Sequence, residues 1–110
     1  MMVDADHYTY QVHWSSDDGE YVATVAEFPS LSWLESTPAA AMKGILRLAH
    51  EVVAEMEASG DKPPEPISTR KFSGRFVVRI PPEIHRELAT DAAMQNVSLN
   101  QLAVSRLART

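Results

Sequence analysis

The stretch "RFVVRIPPEIHRELATDAAMQNVSLNQLAVSRLA", residues 75–108, constrains the chain more than any other. It reads as one strand followed by two helices. Phe76, Val78 and Ile80 alternate with Arg75, Val77 and Arg79, the period-2 pattern of a strand with two unlike faces. Pro81 ends the strand, and Pro82 suits the first position of a helix, where a missing N–H costs nothing. Ile84, Leu88, Ala92 and Met94 mark the buried side of that helix. Asn96 tolerates the left-handed conformation that closes a helix, and Ser98 is a good N-cap for the next one. Leu99, Leu102, Ala103 and Leu107 supply the last apolar side.

A single strand is a problem. A segment of about 40 residues rarely folds alone without a metal, a disulfide or oligomerisation. The chain has no cysteine, and this segment offers no set of metal ligands. One strand also leaves its backbone N–H and C=O groups unpaired. Pairing with the same strand of a second copy solves both problems. The product is an antiparallel two-stranded ribbon on four helices with twofold symmetry. Phe76, Val78, Ile80, Ile84, Leu88 and Leu102 then form the dimer core.

The opposite face of such a ribbon carries Arg75, Val77 and Arg79. A two-stranded ribbon fits the major groove of B-DNA, where arginine can donate two hydrogen bonds to guanine and valine can meet a thymine methyl. Arg70 and Lys71 precede the strand as candidates for phosphate contact. Ser98, Leu99 and Asn100 open the last helix, whose free N–H groups suit a phosphate.

Charge divides the chain in the same place. Residues 1–69 hold three Lys or Arg against twelve Asp or Glu, a net of −9. Residues 70–110 hold seven against three, a net of +4. The basic part suits a polyanion and the acidic part a basic partner. Between them lies "SGDKPPEPISTRKFSG", residues 59–74, with three prolines and two glycines. That composition marks a linker or irregular crossover. We expect one domain over 1–68 and another over 69–110.

The first part opens with Tyr8, Tyr10, Val12 and Trp14 alternating with polar residues, then "SSDDG", then "EYVATVAEF". This is a strand, a hairpin turn and a second strand. "LSWLES" is a short third strand after the break at Pro29. Thr37 and Pro38 open a helix running to Ser59, about 33 Å at 1.5 Å per residue. Ala41, Ile45, Leu48, Ala49, Val52 and Met56 form its apolar side, and Gly60 stops it. A three-stranded antiparallel sheet with one helix on its face is a minimal two-layer α+β core. Trp14 and Trp33 are expected in that core.

No enzyme chemistry stands out. His7 and His13, six residues apart on one strand, sit about 20 Å from each other and cannot share a metal. His50 and His85 fall on different helices. Asp17, Asp18, Glu20 and Glu27 lack the converging spacing of a two-metal nuclease, and Asp17-Asp18-Gly19 is turn chemistry. We expect no metal, no cofactor and no catalytic residue. The N-terminus has no apolar core of a signal peptide, and no run approaches the ~20 apolar residues of a membrane span. The expected location is cytoplasmic.

Two resemblances cover most of the chain. Residues 73–108, with "FVVRIPPEIHRELATDAAMQNVSLNQLAVSRL", resemble the ribbon-helix-helix family of DNA-binding domains. That family often has glycine before Val97, where this chain has Asn96. "YTYQVHWSSDDGEYVATVAEFPSL", then "STPAAAMKGI" and "GDKPPEP", is similar to the HicB antitoxin domain, a partial RNase H-like sheet with a helix. Here Ser30 replaces the glycine of the family's Pro-Gly turn. The combination implies the antitoxin of a type II toxin-antitoxin pair. Its partners would be a small basic toxin that cleaves mRNA and the operator DNA of its own operon, which it represses. It would act as a homodimer, with pairing into tetramers as a further option. The alternative is a stand-alone ribbon-helix-helix regulator without a toxin.

Overall fold

The computed structural model describes residues 3–109, so the extreme ends of both expected domains lie outside the described residues. Two antiparallel strands, β1 (Tyr10–Ser15) and β2 (Glu20–Val25), are joined by an acidic turn. Gly19 closes that turn at a φ of 65°, a left-handed conformation that favours glycine, and donates its N–H to the Ser15 carbonyl at 2.9 Å. β3 (Ser32–Glu35) pairs antiparallel with β2, giving the order β1-β2-β3. The register sets Val12, Ala23 and Trp33 side by side, and Trp14, Tyr21 and Glu35 in the next row.

Helix α1 (Pro38–Ala58) starts where Thr37 accepts a hydrogen bond from the Ala40 N–H, with Pro38 in its first turn. It ends at Gly60, whose φ is 81°, while the Asp61 N–H reaches back to the Met56 carbonyl at 2.8 Å. The core of sheet and helix is built from Ala5, Tyr8, Ala23, Val25, Ala41, Ile45, Ala49 and Val53. Of the expected helix stripe, Ala41, Ile45 and Ala49 are buried, while Leu48, Val52 and Met56 are half-buried. Gly44 and Val53 complete the buried row instead. Gly44 has a visible reason, since a Cβ there would collide with the Trp33 indole. Small residues let this helix sit close to the sheet.

One expectation for this core fails. Trp14 is 54 % exposed. It stands at the end of its row, beside the turn, and packs edge-on against Tyr21 with ring centroids 5.0 Å apart. Alternation predicted its face correctly, but the core is not built out to that row. Trp33 is half-buried, with the Arg47 guanidinium 5.2 Å above its ring and its indole N–H donated to Glu35 at 2.9 Å.

The proline segment is fastened rather than free. Pro63 and Pro66 are buried. The Tyr8 hydroxyl donates to the Pro64 carbonyl at 2.8 Å, and the Ser68 hydroxyl donates to the His7 carbonyl at 2.7 Å. The Ile67 N–H donates to Glu27 Oε2 at 2.9 Å. Glu27 also accepts from the Thr9 N–H at 2.9 Å and the Thr9 hydroxyl at 3.2 Å. Burial works against its charge, but the hydrogen bonds from Ile67 and Thr9 outweigh it and hold its pKa below the ordinary glutamate value.

The chain divides into two compact units, Met1–Phe72 and Ser73–Thr110. In the second, α2 (Pro82–Gln95) and α3 (Leu99–Leu107) pack on each other. Asn96 closes α2 in the left-handed conformation, φ 61° and ψ 40°. The fold class is therefore α+β, a three-stranded antiparallel sheet packed on a helix and followed by two helices. Residues 75–80, read from the sequence as a strand, form no ladder within the single chain. Met94, expected on the buried side of α2, is 82 % exposed. It lies two residues past Ala92, about 200° around a helix of 3.6 residues per turn, and so leaves the Ile84–Leu88–Ala92 row.

Candidate nucleic-acid interface

The second unit carries little core of its own. Among its described residues only Ala92 and Leu102 are buried. Phe76, Val78, Ile80 and Ile84 are exposed in the single chain, and Leu88 is half-buried. Val78, Ile80 and Leu88 border an apolar cavity of about 600 Å³ whose other walls include Leu99, Ala103 and Leu107. So four of the six residues expected at a dimer core remain open to solvent. Sequence reasoning did not list Ala103 and Leu107 among the core residues, although their helical spacing marks them as apolar.

Arg75, Val77 and Arg79 are exposed, and none of the ion pairs among the described residues involves either arginine. Val77, an apolar side chain, has its surface almost wholly in solvent. Ser73 steadies the start of this stretch, accepting from the Arg75 N–H at 3.1 Å. Lys71 is exposed. Arg70 is engaged, its Nε donating to the Glu65 carbonyl at 2.9 Å.

The N-terminus of α3 is closed by a capping box. The Ser98 hydroxyl accepts from the Gln101 N–H at 3.0 Å, and the Ser98 N–H donates to Gln101 Oε1 at 2.9 Å. The box occupies the N–H of Ser98, and the N–H groups of Leu99 and Asn100 belong to the unsatisfied first turn. An Asp91–Arg106 pair at 2.7 Å ties α2 to α3.

Other polar groups have structural roles. Glu27, weighed in sequence only as a carboxylate, is the anchor of the proline segment, a contact spanning 40 residues of chain with no local signal. Asp4, Asp6 and His50 lie within 4.8 Å of one another, all exposed, with His50 Nε2 2.7 Å from Asp6. Sequence spacing placed His50 alone on its helix. This contact is exposed and worth little to stability. No helix of the described residues is long and apolar enough to cross a membrane.

Comparison with known proteins bears on the same region. No curated protein and no solved structure matches the chain significantly. The model of the HicB family matches residues 57–107, from the last turn of α1 through the proline segment and both helices of the second unit. The match thus falls mostly on the part that resembles ribbon-helix-helix domains, and takes in the "PEP" segment. Over residues 57–107 the chain carries a HicB family domain.

Proposed function

We propose that the chain is the antitoxin of a type II toxin-antitoxin pair and the repressor of its own operon. The observation that carries this reading is the HicB family match over residues 57–107. The family is generally one of non-catalytic antitoxins. Two features support the DNA-binding half. A segment with no ladder partner in the single chain, whose apolar residues alternate with arginines in sequence, suits ribbon formation with a second copy. The +4 charge of residues 70–110 suits a polyanion. In this reading Arg75, Val77 and Arg79 of both copies read base edges, while Lys71 and the opening of α3 at Ser98, Leu99 and Asn100 hold phosphates. The first unit, net acidic, takes a small basic toxin of the HicA kind. Cytoplasmic location is part of the proposal.

The test is co-purification. The tagged protein is expressed with its native flanking genes, and the companions retained at moderate salt are identified by mass spectrometry. The DNA upstream of the operon is then tested for a gel shift. A small basic companion and a specific shift are the expected results. A shift without a companion would favour the stand-alone regulator, and neither result would sink the proposal.

A further inference from the structure

The row of Trp14, Tyr21 and Glu35 at the end of the sheet reaches past the core, and only Tyr21 packs against it. Trp14 is more than half exposed, yet it is held edge-on against Tyr21 rather than left loose. Tyr21 lies opposite Glu35 in the register, on the same face. The adjoining turn carries Asp17 and Asp18, with Asp18 fixed by the Ser15 hydroxyl at 2.9 Å, and Glu20 begins β2. None of the ion pairs among the described residues involves these four carboxylates. Residues 1–42 contain seven Asp or Glu and no Lys or Arg, so the three strands themselves supply no lysine or arginine beside these carboxylates.

We infer that this ledge, Trp14 and Tyr21 with Asp17 and Asp18 in the adjoining turn and Glu35 in the same row, is a docking surface for arginine side chains of a basic protein. The inference rests on the antitoxin reading and names the surface that would meet the toxin. Scattered exposed hydrophobic residues need no explanation. A fixed pair of large aromatics beside an acidic turn is different, because such rings bind cations on their faces and carboxylates bind guanidinium in a fork. Tryptophan and tyrosine are also among the residues that dominate interface energies. The sheet already contains one such contact, the Arg47 guanidinium over Trp33 beside Glu35. Nucleic-acid bases stack on aromatics too, but these carboxylates would repel phosphates. That decides for a protein.

The experiment uses the full chain and two probes. One is a fluorescein-labelled arginine nonapeptide followed by anisotropy. The other is the small basic companion obtained by co-purification. The variants are Trp14→Ser, the triple Asp17→Asn/Asp18→Asn/Glu35→Gln, and a control, Glu51→Gln/Glu55→Gln, that removes equal-signed charge from the exposed side of α1. The triple variant is expected to bind the peptide at least tenfold more weakly, and Trp14→Ser severalfold more weakly. Both should melt as the wild type does, and the control should bind nearly as the wild type. If Trp14→Ser melts early, the triple variant decides. Binding that falls equally in the control would mean that net charge acts without a defined surface, and would overturn the inference. So would binding that no variant weakens. A companion retained as well by the ledge variants as by the wild type would remove the ledge and leave the antitoxin. With no companion at all, the antitoxin reading fails by itself, and the peptide still decides the ledge.

Discussion

The two units of this chain handle apolar surface in opposite ways. The first buries Ile45, Val25 and their neighbours between sheet and helix, and even its proline segment finds hydrogen-bond partners. The second buries two residues and exposes Phe76, Val77, Val78, Ile80 and Leu107. The first is complete as a single copy. The second has the composition of half a core, and the backbone of residues 75–80 lacks a ladder partner. What looks like poor packing in one chain is the surface that the proposed pairing would cover.

The sharpest way to break that contrast is Val78→Asp. It should abolish dimerisation, because pairing would bury an unpartnered charge. Light scattering should report a monomer, while the first unit keeps its melting transition. A stable dimer of this variant would mean that the apolar face lies elsewhere. In the first unit, Ile45→Ala should cost about 2–5 kcal/mol by removing a fully buried side chain from a core that closes only partly around the gap. Denaturant unfolding would measure it, and a cost below about 1 kcal/mol would show that this core is looser than its burial implies.

Smaller effects separate the two faces of the second unit. Arg79→Ala should weaken operator binding by about 1–3 kcal/mol and relax specificity at the bases it contacts. Lys71→Ala should weaken all sequences alike and lower the salt dependence by about one phosphate contact. Equal behaviour of the two variants would erase the distinction between reading and positioning.

The smallest effect is one of pH. The Glu27 pKa is lowered in the folded chain from an ordinary value of 4.5. Its contribution is therefore present in full above that value and lost as pH falls through the folded one. Glu27→Gln should flatten this acid limb of the stability curve and increase hydrogen exchange at Ile67. An unchanged acid limb would mean that other carboxylates set it.

Much of this was legible because the signals are local. Thr37-Pro38 opens α1, Gly60 closes it, Asn96 and Ser98 mark the break between α2 and α3, and alternation marks β1 and β2. The alternation of Phe76, Val78 and Ile80 with Arg75, Val77 and Arg79 was legible too, and in the single chain all six are exposed. Glu27 was not, since its partners lie 18 and 40 residues away and nothing near it announces them. Trp14 was misjudged because alternation gives the face of a strand but not how far a core extends along it. Gly44 was silent until the indole of Trp33 lay above it.

The fastening of the proline segment bears on how long the protein lasts. Up to Ser68 the proline segment is held by buried prolines and by hydrogen bonds to Glu27 and His7. From Lys71 to Arg79 it is exposed and contains three sites that a trypsin-like protease cuts, Lys71, Arg75 and Arg79. In a single copy this is the stretch offered for cleavage, and a cut there would release the sheet and its helix as an intact piece. In a paired ribbon the same residues would be held in a ladder and shielded. The survival of the arm under limited digestion would then be a clock for pairing, and dilution would start it.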